Sequence, residues 1–158
     1  MKKIPSICFL LFLGVSTTQA QDRQAIEAAV IAPIKQLFEG MAKKDTTLIK
    51  AVFHPMASLH TASTDKSGKA QYQSTEISRF ITSIGKMAAD QSLEERILEY
   101  QVKVDGPLAV VWTPYEFYFN EKFSHCGVNA FTLFKSEDTW LITAITDTRR
   151  RKGCEAKK

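Results

Sequence analysis

From residue 93 onward the chain alternates. "LEERILEYQVKVDG", "LAVVWTPYEFYF", "FSHCGVNAFTLFK" and "WLITAITDTRRR" place apolar side chains at a period of two, and Asp105-Gly106-Pro107, "NEK" and "SEDT" punctuate them. Successive strand residues point to opposite faces, so this pattern describes half-buried strands. Strands joined by such short turns run antiparallel. A long meander therefore occupies the C-terminal half.

The preceding segments have helical spacing. Ile26, Val30, Ile34, Leu37, Phe38 and Met41 form one stripe over residues 21–44, interrupted by Pro33. A short second helix follows, capped by Asp45 or Thr46, with Leu48, Ile49, Val52 and Phe53 inward. Pro55 ends it, an extended segment covers residues 56–61, and "TDKSGKAQYQ" reads as a hairpin tip. A third helix begins at Ser74 or Thr75 and buries Ile77, Phe80, Ile81 and Ile84. Helices first and a meander after predict an α+β domain. About three N-terminal helices pack on the concave face of a curved antiparallel sheet and leave a conical hollow, whose mouth suits a small ligand.

Lys2 and Lys3 precede an apolar run over residues 4–15, and Thr18-Gln19-Ala20 supplies the small residues of a cleavage site. Residues 1–20 read as a secretory signal peptide cut after Ala20. The run is too short to span a bilayer, and no cysteine follows Ala20 to make a lipoprotein. The mature chain, residues 21–158, is one periplasmic or secreted domain with no membrane attachment after cleavage. The formal charge of +4 falls to +2 without the two leader lysines. So small a charge does not point to nucleic acid. The basic tail "TRRRKGCEAKK" has no interleaved aromatic rings for stacking on bases. Of three cysteines, Cys126 and Cys154 outlast the leader. In an oxidising compartment such a pair forms a disulfide, with a redox-active thiol as the alternative. No CxxC or other metal-ligand spacing is present, and no cofactor-binding motif.

Helix–helix–strand–helix order followed by a curved sheet resembles the nuclear transport factor 2-like (SnoaL-like) superfamily. The stretch from Trp112 to Cys154, with "KFSHCG", Trp140 and "DTRRRKGC", is similar to its putative lumazine-binding branch. The resemblance implies a cone-shaped fold, often dimeric through its sheet. The superfamily holds isomerases, dehydratases, cyclases and non-catalytic binders, so fold alone names no reaction.

A two-residue turn at Asn120-Glu121 pairs Phe119 with Lys122, which sets Glu116 opposite His125 and Trp112 opposite Asn129. On this register Trp112, Glu116, Tyr118, His125 and Asn129 share one face. An acid beside a histidine serves proton transfer, while a tryptophan wall with an amide suits a flat polar ligand. A bulge near Gly127 would exchange the faces, and a surface ion pair is the alternative for Glu116 and His125. Asp147 is a further candidate base, or a partner of Arg149 or Arg150; His60, on the first strand, is a candidate beside the cone mouth. Tyr115, Phe117 and Phe119 are then expected on the outer face.

Three functions remain open at this level. The first is an exported small-molecule binder using Trp112, Tyr118, His125, Asn129 and His60, with no cofactor. The second is a cofactor-free isomerase, dehydratase or cyclase drawing on His125, Glu116, Asp147 or His60. The third is an interaction module, a homodimer through the sheet.

Overall fold

The structure, a computed structural model, describes residues 15–154; most of the expected leader lies outside the described residues. The order is α1 (Val15–Lys43), α2 (Thr46–Ala51), β1 (Phe53–Thr64), β2 (Ala70–Thr75), α3 (Ile77–Gly85), β3 (Leu93–Ile97), β4 (Gln101–Asp105), β5 (Leu108–Phe119), β6 (Lys122–Ser136) and β7 (Thr139–Arg149). The α+β expectation holds. No helix among the described residues is long and apolar enough to cross a membrane.

Helix α1 buries Val30, Ile34 and Leu37, but Ile26 is exposed, so the stripe engages the core only from Val30 onward. Pro33 sits in its interior without ending it. At Gly40 the helix passes α2 so closely that a Cβ would lie 2.8 Å from Ile49 Cγ1. Asp45 caps α2 by accepting from the backbone N–H groups of Thr47 and Leu48. Strand β1 begins at Phe53, ahead of Pro55, and β2 runs to Thr75, so α3 starts later than expected, with Glu76 at its cap position.

Seven strands form one sheet in the order β2-β1-β7-β6-β5-β3, and β4 shares the β5 edge with β3. Residues 93–106 read as one run yet fold as two short strands, both on β5. The meander is antiparallel, while β1 pairs parallel to β7, Thr61 beside Asp147. Asn120 and Glu121 both take positive φ, 49° and 62°, the tight turn that matches strand twist. The core, built on Ile34, Leu37, Ile49, Val111, Phe131, Leu133 and Ile142, lies between the helices and the concave face.

The β5–β6 register departs from the simple hairpin. Phe119 pairs with Lys122 and Tyr118 with Phe123, but Phe117 pairs with His125, because a bulge takes up Ser124. Every pair beyond it moves by one residue. Glu116 faces Cys126, not His125, and Trp112 faces Ala130, not Asn129. Trp112, Glu116 and Tyr118 therefore lie on the convex face, and Tyr115, Phe117 and Phe119 on the concave one. Both placements reverse the expected arrangement.

Candidate functional site

The concave face and the helices enclose a cavity of about 410 Å³. Helices α1 and α3 contribute Leu37, Phe38, Met41, Phe80 and Ile84; the sheet contributes Phe117 and Phe119 among its apolar groups. Its polar groups converge from four strands: Glu95 on β3, Tyr115 on β5, His125 and Asn129 on β6, Asp147 and Arg149 on β7. Such a hollow, mostly apolar with few convergent polar groups, has the form of a small-molecule site. A larger groove of about 880 Å³ runs beside the exposed start of α1, lined by charges of both signs such as Arg23, Glu27, Lys135 and Asp138. It has no buried polar cluster, and the cone is the better candidate.

Asp147 is the most heavily bonded group. Its Oδ1 accepts from Thr61 Oγ1 at 2.5 Å, and its Oδ2 from Arg149 Nε at 2.6 Å. Tyr115 Oη donates to the Thr148 carbonyl at 2.9 Å and lies 3.4 Å from Asp147 Oδ2. Burial, and then the Asp147 carboxylate, hold the Tyr115 phenol well above its ordinary range. Gly127 makes this reach possible. A Cβ there would sit 1.8 Å from the Thr148 carbonyl oxygen and 2.9 Å from the Tyr115 ring.

Glu95 is bonded more sparsely. Asn129 Nδ2 donates to its Oε1 at 2.7 Å, the single hydrogen bond to this carboxylate among the described residues. Burial pushes the carboxyl up to about 7; the Asn129 bond opposes the rise and the Asp147 charge adds to it. His125 stands against Phe117 at 5.0 Å and edge-on to Tyr115 at 5.8 Å, with Nδ1 3.0 Å from Ser124 Oγ. Burial, then Arg149, lower its pKa, so the ring is neutral at pH 7. Thr113, opposite Asn129, is buried with no partner for its hydroxyl among the described residues.

The expected residues thus divide. His125, Asn129 and Asp147 meet in the cone. His60 does not: Leu59 lines the cavity and Thr61 bonds Asp147, so alternation turns His60 outward, where it stacks on Tyr72 at 5.1 Å. On the convex face Tyr118 Oη donates to Glu116 Oε2 at 3.0 Å under the Arg96 guanidinium, and Glu116 is 8% exposed. Trp112 is 49% exposed beside Leu108, Val110 and Phe134. Cys126 and Cys154 are bonded, with Cα atoms 5.8 Å apart, and tie the tail to β6. Among the described residues, no group of three His, Cys, Asp or Glu side chains is placed to hold a metal ion.

Glu95 was absent from the expected set. Its signal was present in "LEERI": the carboxylate takes the inward place between Leu93 and Ile97 in a period-two strand.

The putative lumazine-binding family matches residues 25–146. The chain belongs to that family. No curated protein matches it. Among solved structures, a nuclear transport factor 2-like protein of unknown function from Shewanella baltica is similar at 16% identity and TM-score 0.57, over 84% of this chain and 97% of that one. A putative dehydratase of the nuclear transport factor 2-like family from Streptomyces avermitilis is similar at 10% identity and TM-score 0.59, over 82% and 99%. A further such protein of unknown function, from Silicibacter pomeroyi, shares 19% identity at TM-score 0.57, over 82% and 98%. At these identities the likeness is one of fold. The putative lumazine-binding fold thus places its cone between the helices and β3, β5, β6 and β7.

Proposed function

We propose that this protein is an exported binder of a small molecule held in the cone. The observation that carries this reading is a cavity of about 410 Å³ with aromatic and aliphatic walls around a few converging polar groups. Export is supported by the basic, apolar and small-residue succession of residues 1–20, and by the Cys126–Cys154 bond, which belongs in an oxidising compartment. No residue from 20 to 29 is buried, so a mature chain that starts at Gln21 begins outside the core. The mature chain is on this reading a periplasmic or secreted domain. The exposed apolar patch of Leu108, Val110, Trp112 and Phe134 supports a homodimer through the convex face.

A second reading is cofactor-free acid/base catalysis of the isomerase, dehydratase or cyclase type. One observation favours it: Glu95, with a pKa of about 7, shares the cavity with His125 and Asp147. Proton transfer is most effective by a group poised near the working pH.

Native mass spectrometry of the mature protein, purified gently from its own host, tests the primary reading. A retained small molecule is expected, with a mass gain of two hydrogens on the protein after reduction. A protein that arrives bare, and stays bare after incubation with a small-molecule extract of that host, overturns the binder reading and leaves the catalytic one.

A further inference from the structure

The polar end of the cone is unbalanced in charge. Two carboxylates, Glu95 and Asp147, face it with one guanidinium. Arg149 bonds Asp147 through Nε at 2.6 Å, and Asp147 is further bonded by Thr61. Among the described residues no cation bonds Glu95, although the Arg149 charge acts on it through space, and an amide nitrogen is its single hydrogen-bond partner. That bond is the one hydrogen bond of the Asn129 side chain among the described residues, and its amide oxygen is a further acceptor. A carboxylate in an apolar enclosure is stabilised by a positive partner. The walls add to this, because Phe38, Phe80, Phe117 and Phe119 surround the site, and aromatic faces attract cations.

We infer that the cone takes an organic cation, a protonated amine on a flat apolar body, with its ammonium on Glu95 and its body among the aromatic rings. The inference rests on the reading of the cone as a ligand site. It disfavours carboxylates and phosphates, which would enter beside two carboxylates, Glu95 and Asp147, with Arg149 the single guanidinium in the lining. It also gives Glu95 a role that neither His125 nor Asp147 fills. His125 is neutral, and Asp147 has both oxygens bonded.

Three isosteric probes separate the outcomes: 2-naphthylmethylamine, 2-naphthylmethanol and 2-naphthoate. Each is titrated calorimetrically into the mature protein and into Glu95→Gln at about pH 8, where Glu95 is ionised. The amine is expected to bind about tenfold or more tightly than the alcohol, the gain of one charge-assisted hydrogen bond. The naphthoate is expected to bind more weakly than either. In Glu95→Gln the preference for the amine over the alcohol is expected to disappear, and retained binding of the alcohol shows that the variant keeps its pocket. Naphthoate binding as tightly as the amine, or an amine affinity indifferent to Glu95→Gln, overturns the cation assignment and leaves the binder reading standing. Failure of all three probes counts against both.

Discussion

A carboxylate held among aromatic rings with one amide for company raises the free energy of the folded state once it ionises, and Glu95 is in that position. Its pKa rises from the ordinary 4.5 to about 7. Between those values the folded chain keeps a proton that the unfolded chain has released. The Glu95 contribution to stability is therefore complete below about 4.5 and lost as pH rises through about 7. Stability should fall across that window by up to ~3 kcal/mol, the free energy of the shift. Glu95→Gln should flatten the slope, and be the more stable protein at about pH 8. Urea titrations of both proteins at each end of the window check this; parallel slopes would assign the titration to another group. Gly127 makes a second residue-scale case. Gly127→Ala forces a methyl onto the Thr148 carbonyl and the Tyr115 ring, and should cost about 2 kcal/mol or more by overpacking. A urea midpoint within experimental scatter of the parent would mean that β6 and β7 separate there freely.

At the scale of elements, the sheet and helices were legible because each repeats one simple period. Val30, Ile34 and Leu37 announce a helix face, and the alternation of β5 and β6 announces strands. The site was only half legible. Of the residues expected in a pocket, His125, Asn129 and Asp147 line the same cavity. Their expected neighbours do not, because Ser124 occupies a bulge and nothing in "EKFSHCG" distinguishes a bulged serine from a paired one. One residue of slip exchanged Trp112, Glu116 and Tyr118 for Thr113, Tyr115 and Phe117. His60 was misplaced for another reason, since the parallel pairing of β1 with β7 depends on contacts distant in sequence. The C-terminal staple is testable at the same scale. The disulfide closes a separation of 28 residues, so Cys154→Ser should cost about 3.5 kcal/mol on the loop-entropy account. It should also make the tail after Arg149 the first site of limited proteolysis. A parental urea midpoint with a resistant tail would assign the anchoring to the Cys126–Arg150 backbone pairing instead.

For the whole molecule, the two faces of the sheet divide the labour. The concave face holds the cone, and the convex face carries the exposed Leu108, Val110, Trp112 and Phe134. If the convex face joins two copies, sedimentation of the mature protein should give a dimer, and Trp112→Glu with Val110→Glu a monomer whose cone still binds its ligand. A parent that sediments as a monomer removes the homodimer. The sheet order has one more consequence, for the time at which this molecule becomes itself. Strand β1 lies between β2 and β7, and the Thr61–Asp147 bond spans 86 residues. The seam that joins the early strands to the meander forms only after β7 has been synthesised. Until then β1 and β2 are a lone hairpin, a unit with marginal stability in water. Contacts this distant in sequence slow folding. In a chain leaving the ribosome the two early strands thus wait for their seam until almost all of the sheet has emerged.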